Sequence, residues 1–177
     1  MALTLPAHLA LRCGPQMDVT IRATTEDDLS DLGRLWNDGA VMIWVGFPHG
    51  LGYDDAALRT WYERMAADVH AHHFVVHETK LGFCGELFYR VDPDHRRAGL
   101  DIKLVPSVQG RGIAAVSLTR LIELVFEQEP QVDAVWTEPS PENVAARALY
   151  ARCGLVETKR PRDLGNGAPY WERRRPQ

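Results

Sequence analysis

Val108-Gln109-Gly110-Arg111-Gly112-Ile113-Ala114 (VQGRGIA) is the stretch on which the reading of the fold turns. It follows an apolar-rich run, Leu100 to Val105, and opens a helical pattern that continues to about Gln128. Glycines at a helix entrance adopt backbone angles that other residues avoid and let a ligand approach the main chain. The first N–H groups of a helix have no internal partner, and the helix dipole adds partial positive charge there. A strand, a Gly-rich turn and a helix start together make a phosphate cradle.

The elements upstream alternate as antiparallel strands do. Asp18 to Ala23 (DVTIRA) is alternating and β-branched, which predicts a strand. Thr24-Thr25-Glu26-Asp27-Asp28 is a helix start, a hydroxyl cap with acids in the first turn. Leu29, Leu32, Leu35 and Trp36 fall on one face of that helix, which Asp38-Gly39 ends. Residues 40–53 read as a loop with Trp44, Phe47 and Tyr53, and 54–70 as a second amphipathic helix capped by Asp54. Strands are predicted over 73–78, 83–91 and 98–105, joined by turns at 79–82 and 92–95.

Downstream the period changes to helical. Leu118, Leu121, Ile122 and Val125 share one face. A short strand follows at 134–138, then a Pro-rich turn and a helix over 142–153, with Gly154 where a left-handed cap belongs. Two more strands are predicted near 155–159 and 168–173. The strand–helix–strand unit from 98 to 138 predicts a parallel pair. The expected fold class is α/β (α+β), a six- to seven-stranded mixed antiparallel and parallel sheet flanked by about four helices.

Composition sets the outer bounds. The length of 177 residues fits one domain. Net charge is −4, which argues against nucleic acid as the main partner. No apolar run approaches the ~18 residues of a membrane span. Cys13, Cys84 and Cys153 are widely spaced with no C-x-x-C, so neither a disulfide framework nor a zinc site is expected, and a reducing cytoplasm fits. The run His70-Ala71-His72-His73 would converge on a metal only if the helix continued through it. No metal is expected. Residues 1–16 make a poor signal peptide, and Met17 directly precedes the first strand. They are expected to be a disordered or dispensable extension of a single domain over 17–177.

Three Gly-rich signatures compete for the opening stretch. The P-loop is out, because no Gly-Lys-Ser/Thr occurs. The dinucleotide fingerprint matches literally at Gly110-Arg111-Gly112-Ile113-Ala114-Ala115, but Pro106 to Gln109 intervene after the strand and a meander precedes it. The third fits better. Gln109-x-x-Gly112-x-Ala114 resembles the Q/R-x-x-G-x-G/A pattern of the GNAT superfamily of N-acetyltransferases. Asn143-x-x-Ala146-x-x-x-Tyr150-x-x-x-Gly154-Leu155 resembles that superfamily's second motif, with Leu155 where Phe is usual. The start, Ile21 through Leu29, also resembles its first strand and helix. The stretches Glu138 to Asn143 and Gly99-Leu100-Asp101 resemble aminoglycoside N-acetyltransferases, and the fourth strand and its loop resemble ribosomal-protein N-terminal acetyltransferases.

The resemblance implies transfer of acetyl from acetyl-coenzyme A to an amine of a small molecule or peptide, by direct attack in a ternary complex. It implies that Gln109, Gly110, Arg111, Gly112, Ile113 and Ala114 hold the pyrophosphate, and that Leu104, Val105 and Asn143 hold the pantetheine arm. Tyr150 would serve the departing sulfur. Asp101 is the first candidate for the amine's proton and Glu86, in the third strand, the reserve. Residues 99, 101 and 103 share one strand face, so Asp101 and Lys103 point the same way. A coenzyme-binding module without turnover, and more distantly a dinucleotide enzyme, stay open. So does a homodimer.

Overall fold

The computed structural model describes residues 9–13 and 17–176. Eight strands form one sheet: β1 (Leu9–Cys13), β2 (Met17–Ala23), β3 (Ala71–Glu78), β4 (Gly82–Asp92), β5 (Arg97–Leu104), β6 (Ala134–Thr137), β7 (Val156–Thr158) and β8 (Tyr170–Arg174). Their order is β1-β2-β3-β4-β5-β6-β8-β7. Five helices accompany them: α1 (Leu29–Trp36), the single turn α2 (Gly39–Met42), α3 (Asp55–Ala67), α4 (Ile113–Gln128) and α5 (Val144–Arg152).

All seven predicted strands are present, and β5 and β6 are the parallel pair. The eighth strand, β1, pairs antiparallel along β2, from Leu9 opposite Ile21 to Cys13 opposite Met17. It lies inside the stretch expected to be an extension, of which residues 1–8 and 14–16 fall outside the described residues.

The second helix is shorter than its sequence pattern predicts. It ends at Ala67 rather than His70, and β3 begins at Ala71 rather than His73. The ladder takes over early, because the His70 carbonyl already accepts the Val91 N–H at 2.8 Å. His72 and His73 therefore point to opposite faces of a strand. His72 stacks on Tyr89 at 4.4 Å, while His73 packs against Trp61 at 4.8 Å.

The two faces of the sheet carry separate cores. On one, α4 and α5 pack on Phe74, Leu87, Tyr89, Leu100 and Leu104 through Leu118, Leu121, Ile122 and Val125 of α4. Each such side chain contributes about 1.5–3 kcal/mol by burial. On the other, Leu32, Leu35, Trp36 and Leu58 of α1 and α3 close over Val75. The entrance to α1 is fixed by Arg22, whose guanidinium grips both oxygens of buried Asp28 at 2.6 and 2.7 Å. Thr25 N–H donates to the same carboxylate at 2.8 Å.

Strand β4 carries an irregularity where it matters for the site. The β3–β4 register shifts between Val76 and His77, and Gly85 has φ of 152°. A Cβ on Gly85 would overlap the Lys103 carbonyl oxygen. Glycine therefore lets β4 and β5 close up beside Lys103 and Leu104.

Candidate active site

Strand β5 is paired on both sides only over its first half. On the β6 side the register covers Arg97, Ala98 and Gly99, opposite Ala134, Val135 and Trp136, and stops there. On the β4 side it runs to Leu104. The last residues of β5 thus leave β6, and the two strands splay. Val105 donates toward β4, to the Cys84 carbonyl at 2.9 Å. By the alternation of a strand, the Ile102 and Leu104 amides then face the splay. Asp101 Oδ1 takes the Ile102 N–H at 2.8 Å. Gln109 Nε2 donates to the Leu104 carbonyl at 3.1 Å, bracing the loop against the end of β5. The Leu104 N–H is left as the donor that a ligand's carbonyl can meet, as an added strand would.

Beyond the splay, the chain turns through Pro106–Val108 and reaches α4. Gly110 and Gly112 have φ of 74° and 85°, and Gly112 is the N-cap. No side chain caps α4 and its first turn holds no acid. Val116 is the residue whose N–H bonds back to the Gly112 carbonyl, at 3.2 Å. The amides of Ile113, Ala114 and Ala115 therefore precede the helix ladder and are directed at the loop. Gly110, Arg111 and Gly112 are exposed. This is the donor set a pyrophosphate needs. The loop follows β5, which pairs antiparallel with β4, rather than a strand in a run of parallel strands, so the literal dinucleotide fingerprint lacks the fold it requires.

Asn143 is the N-cap of α5. Its Oδ1 accepts the Ala146 N–H at 3.0 Å, which spends the oxygen and leaves Nδ2 as the group able to reach a ligand. Two turns of α5 beyond Asn143, Tyr150 is buried. Burial pushes its phenol up to about 12, the nearby Asp101 charge pushes the same way, and the Thr137 hydroxyl works against both.

Glu86 is placed differently from the expectation of a reserve base. It is 3% exposed and engaged by three donors. Trp36 Nε1 donates at 2.9 Å, His73 Nε2 lies at 2.7 Å and Lys103 Nζ at 2.9 Å. Burial alone would raise its pKa, but Lys103 and His73 outweigh that and hold it at about 2. Buried and with three donors on its oxygens, Glu86 is not presented to an entering amine. His73 in turn meets the Thr24 hydroxyl through Nδ1 at 2.7 Å. These partners favour the tautomer with the proton on Nε2, donated to Glu86.

The sequence places Lys103 on the Asp101 face but assigns it no role. It stands directly opposite Glu86 in the β4–β5 ladder. Its ammonium bonds Glu86 and also Asp101 Oδ2. Burial works to lower its pKa, and the two carboxylates override this and raise it. Asp101 keeps 39% of its side chain exposed, so only one of the two carboxylates is accessible from outside. The period-two alternation of β5 was the available signal, since it puts 101 and 103 on one face.

Among the described residues, Asp92, His95 and Asp163 also converge. The Arg97 guanidinium is already inserted between the two aspartates. No helix among the described residues is long and apolar enough to cross a membrane.

The family described as Acetyltransferase (GNAT) domain matches residues 18–156. A spermidine N(1)-acetyltransferase of Vibrio cholerae serotype O1 is 27% identical over 141 residues, 78% of this chain and 79% of that protein. The Vibrio cholerae spermidine N-acetyltransferase in complex with CoA and spermine superposes with a TM-score of 0.73 at 24% identity, covering 87% of this chain and 92% of that one. The aminoglycoside acetyltransferase AAC(6')-Ib in complex with coenzyme A gives 0.71 at 24%, covering 89% and 95%. The ribosomal L7/L12 alpha-N-protein acetyltransferase RimL in complex with coenzyme A gives 0.74 at 17%, covering 88% and 93%.

Proposed function

The chain belongs to the GNAT acetyltransferase family and is an acetyl-CoA-dependent N-acetyltransferase, and from that premise we propose how its residues divide the work. Acetyl-coenzyme A supplies the activated acetyl group. The amides of Gly110 to Ala115 bind its pyrophosphate, with Arg111 adding charge from the exposed turn. The Leu104 N–H and Asn143 Nδ2 orient the pantetheine arm, with Val105 beside it. The acceptor amine attacks directly in a ternary complex, and Asp101 receives its proton.

The observation that carries this reading is the free edge of β5, where the register with β6 stops at Gly99 and the partly exposed Asp101 carboxylate takes the Ile102 amide. Burial of Tyr150 refines the part given to that residue. A thiol titrates near ~8.5. A phenol at about 12 would lose a proton to the thiolate only at a cost of about 5 kcal/mol, at ~1.36 kcal/mol per unit. Tyr150 is therefore a hydrogen-bond donor to the developing thiolate rather than a full acid.

The acceptor is an amine-bearing small molecule or peptide. Supporting this are the two carboxylates to one ammonium in the Glu86, Lys103 and Asp101 group and the exposed Trp44 and Phe47 of the loop after α2. The buried free thiols Cys84 and Cys153 suit a reducing cytoplasm. The test is thiol release from acetyl-CoA with spermidine, kanamycin and a short peptide bearing a free N-terminal amine. Acetylated product with one of them, lost in Asp101→Asn, is the expected result. Wild-type turnover in Asp101→Asn would remove Asp101 as the proton acceptor.

A further inference from the structure

We propose that Lys103 is a positioning residue of this reaction: its ammonium, pinned to the buried Glu86, holds the Asp101 carboxylate in the attitude that receives the amine's proton. The inference rests on the reading of Asp101 just given.

The pin is built from four elements. Thr24 follows β2, His73 lies on β3, Glu86 on β4 and Lys103 on β5, and each contacts the next within hydrogen-bond distance. Trp36 at the end of α1 adds a third donor to Glu86. Trp36 and Trp61 cover the cluster, their rings 4.5 Å apart and both edge-on to His73. Glu86 is thereby a fixed anion. Its ammonium partner is 12% exposed and sits across the ladder, with no freedom to swing into solvent.

Lys103 transmits that fixity to Asp101. The Asp101 side chain is more exposed than those of His73, Glu86 and Lys103 and would otherwise sample several rotamers. Two bonds of different origin hold it: Lys103 Nζ on Oδ2 and the Ile102 N–H on Oδ1. The second takes an amide on the free edge of β5, so the carboxylate lies along the splay rather than away from it. With Oδ2 engaged by an ammonium, Oδ1 presents its remaining lone pair to the entering amine. A proton acceptor must be held within hydrogen-bond reach in the reacting geometry, and small misplacements cost large factors in rate. Lys103 acts through Asp101 and touches no reacting atom.

The competing account is that Lys103 only neutralises Glu86. Removing Lys103 alone does not separate the two, because it leaves a buried carboxylate unpaired and destabilises the fold. The double variant Glu86→Gln/Lys103→Met does separate them. It removes both charges and leaves no buried anion. Melting temperature, acetyl-CoA affinity and steady-state kinetics are measured with whichever of spermidine, kanamycin and the peptide amine the wild type turns over fastest. The expected result is a melting temperature above that of Lys103→Met, acetyl-CoA affinity within about 2-fold of wild type, and kcat lowered about 10-fold or more with a smaller change in KM for the amine. Wild-type kcat in the double variant would overturn the inference.

A second variant covers the case in which the double variant does not fold. Glu86→Gln alone keeps the Lys103–Asp101 pair and only releases the pin. It is expected to lower kcat several-fold, and wild-type kcat there would also overturn the inference. Failure of the underlying reading looks different: Asp101→Asn would then keep full turnover, whereas failure of this inference alone leaves Asp101→Asn inactive and the double variant active.

Discussion

The Lys103 ammonium stands 2.9 Å from Glu86 Oε1, directly across the β4–β5 ladder, with both side chains almost wholly buried. The pair gives the protein an acid-sensitive element. Glu86 titrates at about 2 in the fold against an ordinary 4.5. A carboxyl whose pKa is lowered by folding stabilises the fold above its unfolded value, and that contribution is lost as pH falls toward the folded value. In urea unfolding, the stability gap between wild type and Glu86→Gln is expected to be constant from pH 8 to 6 and to narrow as pH falls from 5 to 3. A gap that does not narrow would contradict this placement of Glu86.

Replacing Tyr150 by Phe removes one hydroxyl from a buried site and leaves the ring that packs α5 on the core. Turnover is expected to fall about 10- to 100-fold, the range for a single donor to developing negative charge. Acetyl-CoA affinity is expected to stay within about 2-fold, because the donor acts on the departing sulfur and not on the bound thioester. The pH profile adds a check. With the phenol pushed up to about 12, Tyr150 stays protonated through pH 10, so any loss of rate between pH 8 and 10 should be the same in wild type and Tyr150→Phe. An alkaline limb that disappears in the variant would show that the phenol titrates lower.

The coenzyme loop predicts a different split. Gly112 has φ of 85° and caps α4 by its backbone alone. A side chain in this left-handed region costs about 1–2 kcal/mol, and Gly112→Val also puts bulk beside the amides that receive the pyrophosphate. The expected outcome in calorimetry is a loss of acetyl-CoA affinity of 10-fold or more with a folded domain by circular dichroism. Gly110→Ala is the comparison. Its φ of 74° carries the same backbone strain, but nothing lies within 4 Å of a Cβ there and a methyl adds little bulk beside the amides, so its effect on affinity should be the smaller of the two.

Much of this architecture is legible in the sequence because it rests on local periods. The α4 face of Leu118, Leu121, Ile122 and Val125 is read from spacing alone, and all four are buried. The left-handed positions at Gly112 and Gly154 follow from glycine at helix ends. The ion network is not legible in the same way. Trp36 and Glu86 are 50 residues apart and meet only because α1 packs on β4. Whether Glu86 faces inward depends on the shift between Val76 and His77, which no alternation pattern announces. His73 looks like one of three clustered histidines until β3 is known to begin at Ala71, which sends it to the Glu86 face and His72 to the other. The loop over 40–53 has no period, so its half-exposed Ile43, Trp44, Val45 and Phe47 are visible as apolar residues but not as a surface.

The amino-terminal segment gives the last prediction. Strand β1 pairs only with β2, at one edge of the sheet, and β2, β3 and β4 separate it from β5. Contacts at the site run through Thr24, His73, Glu86 and Lys103, none of which belongs to β1. A chain beginning at Met17 should therefore retain acetyl-CoA affinity and turnover within about 2-fold. Its stability should fall modestly, because β2 becomes the edge strand and loses the five-residue ladder that β1 supplies. An exposed strand edge invites pairing with another chain, so the shortened protein is also expected to associate more readily at high concentration. Thermal melting, the thiol-release assay and light scattering on the two forms read these effects separately. Loss of turnover in a monomeric, folded Met17 form would show that residues 1–16 belong to the working domain.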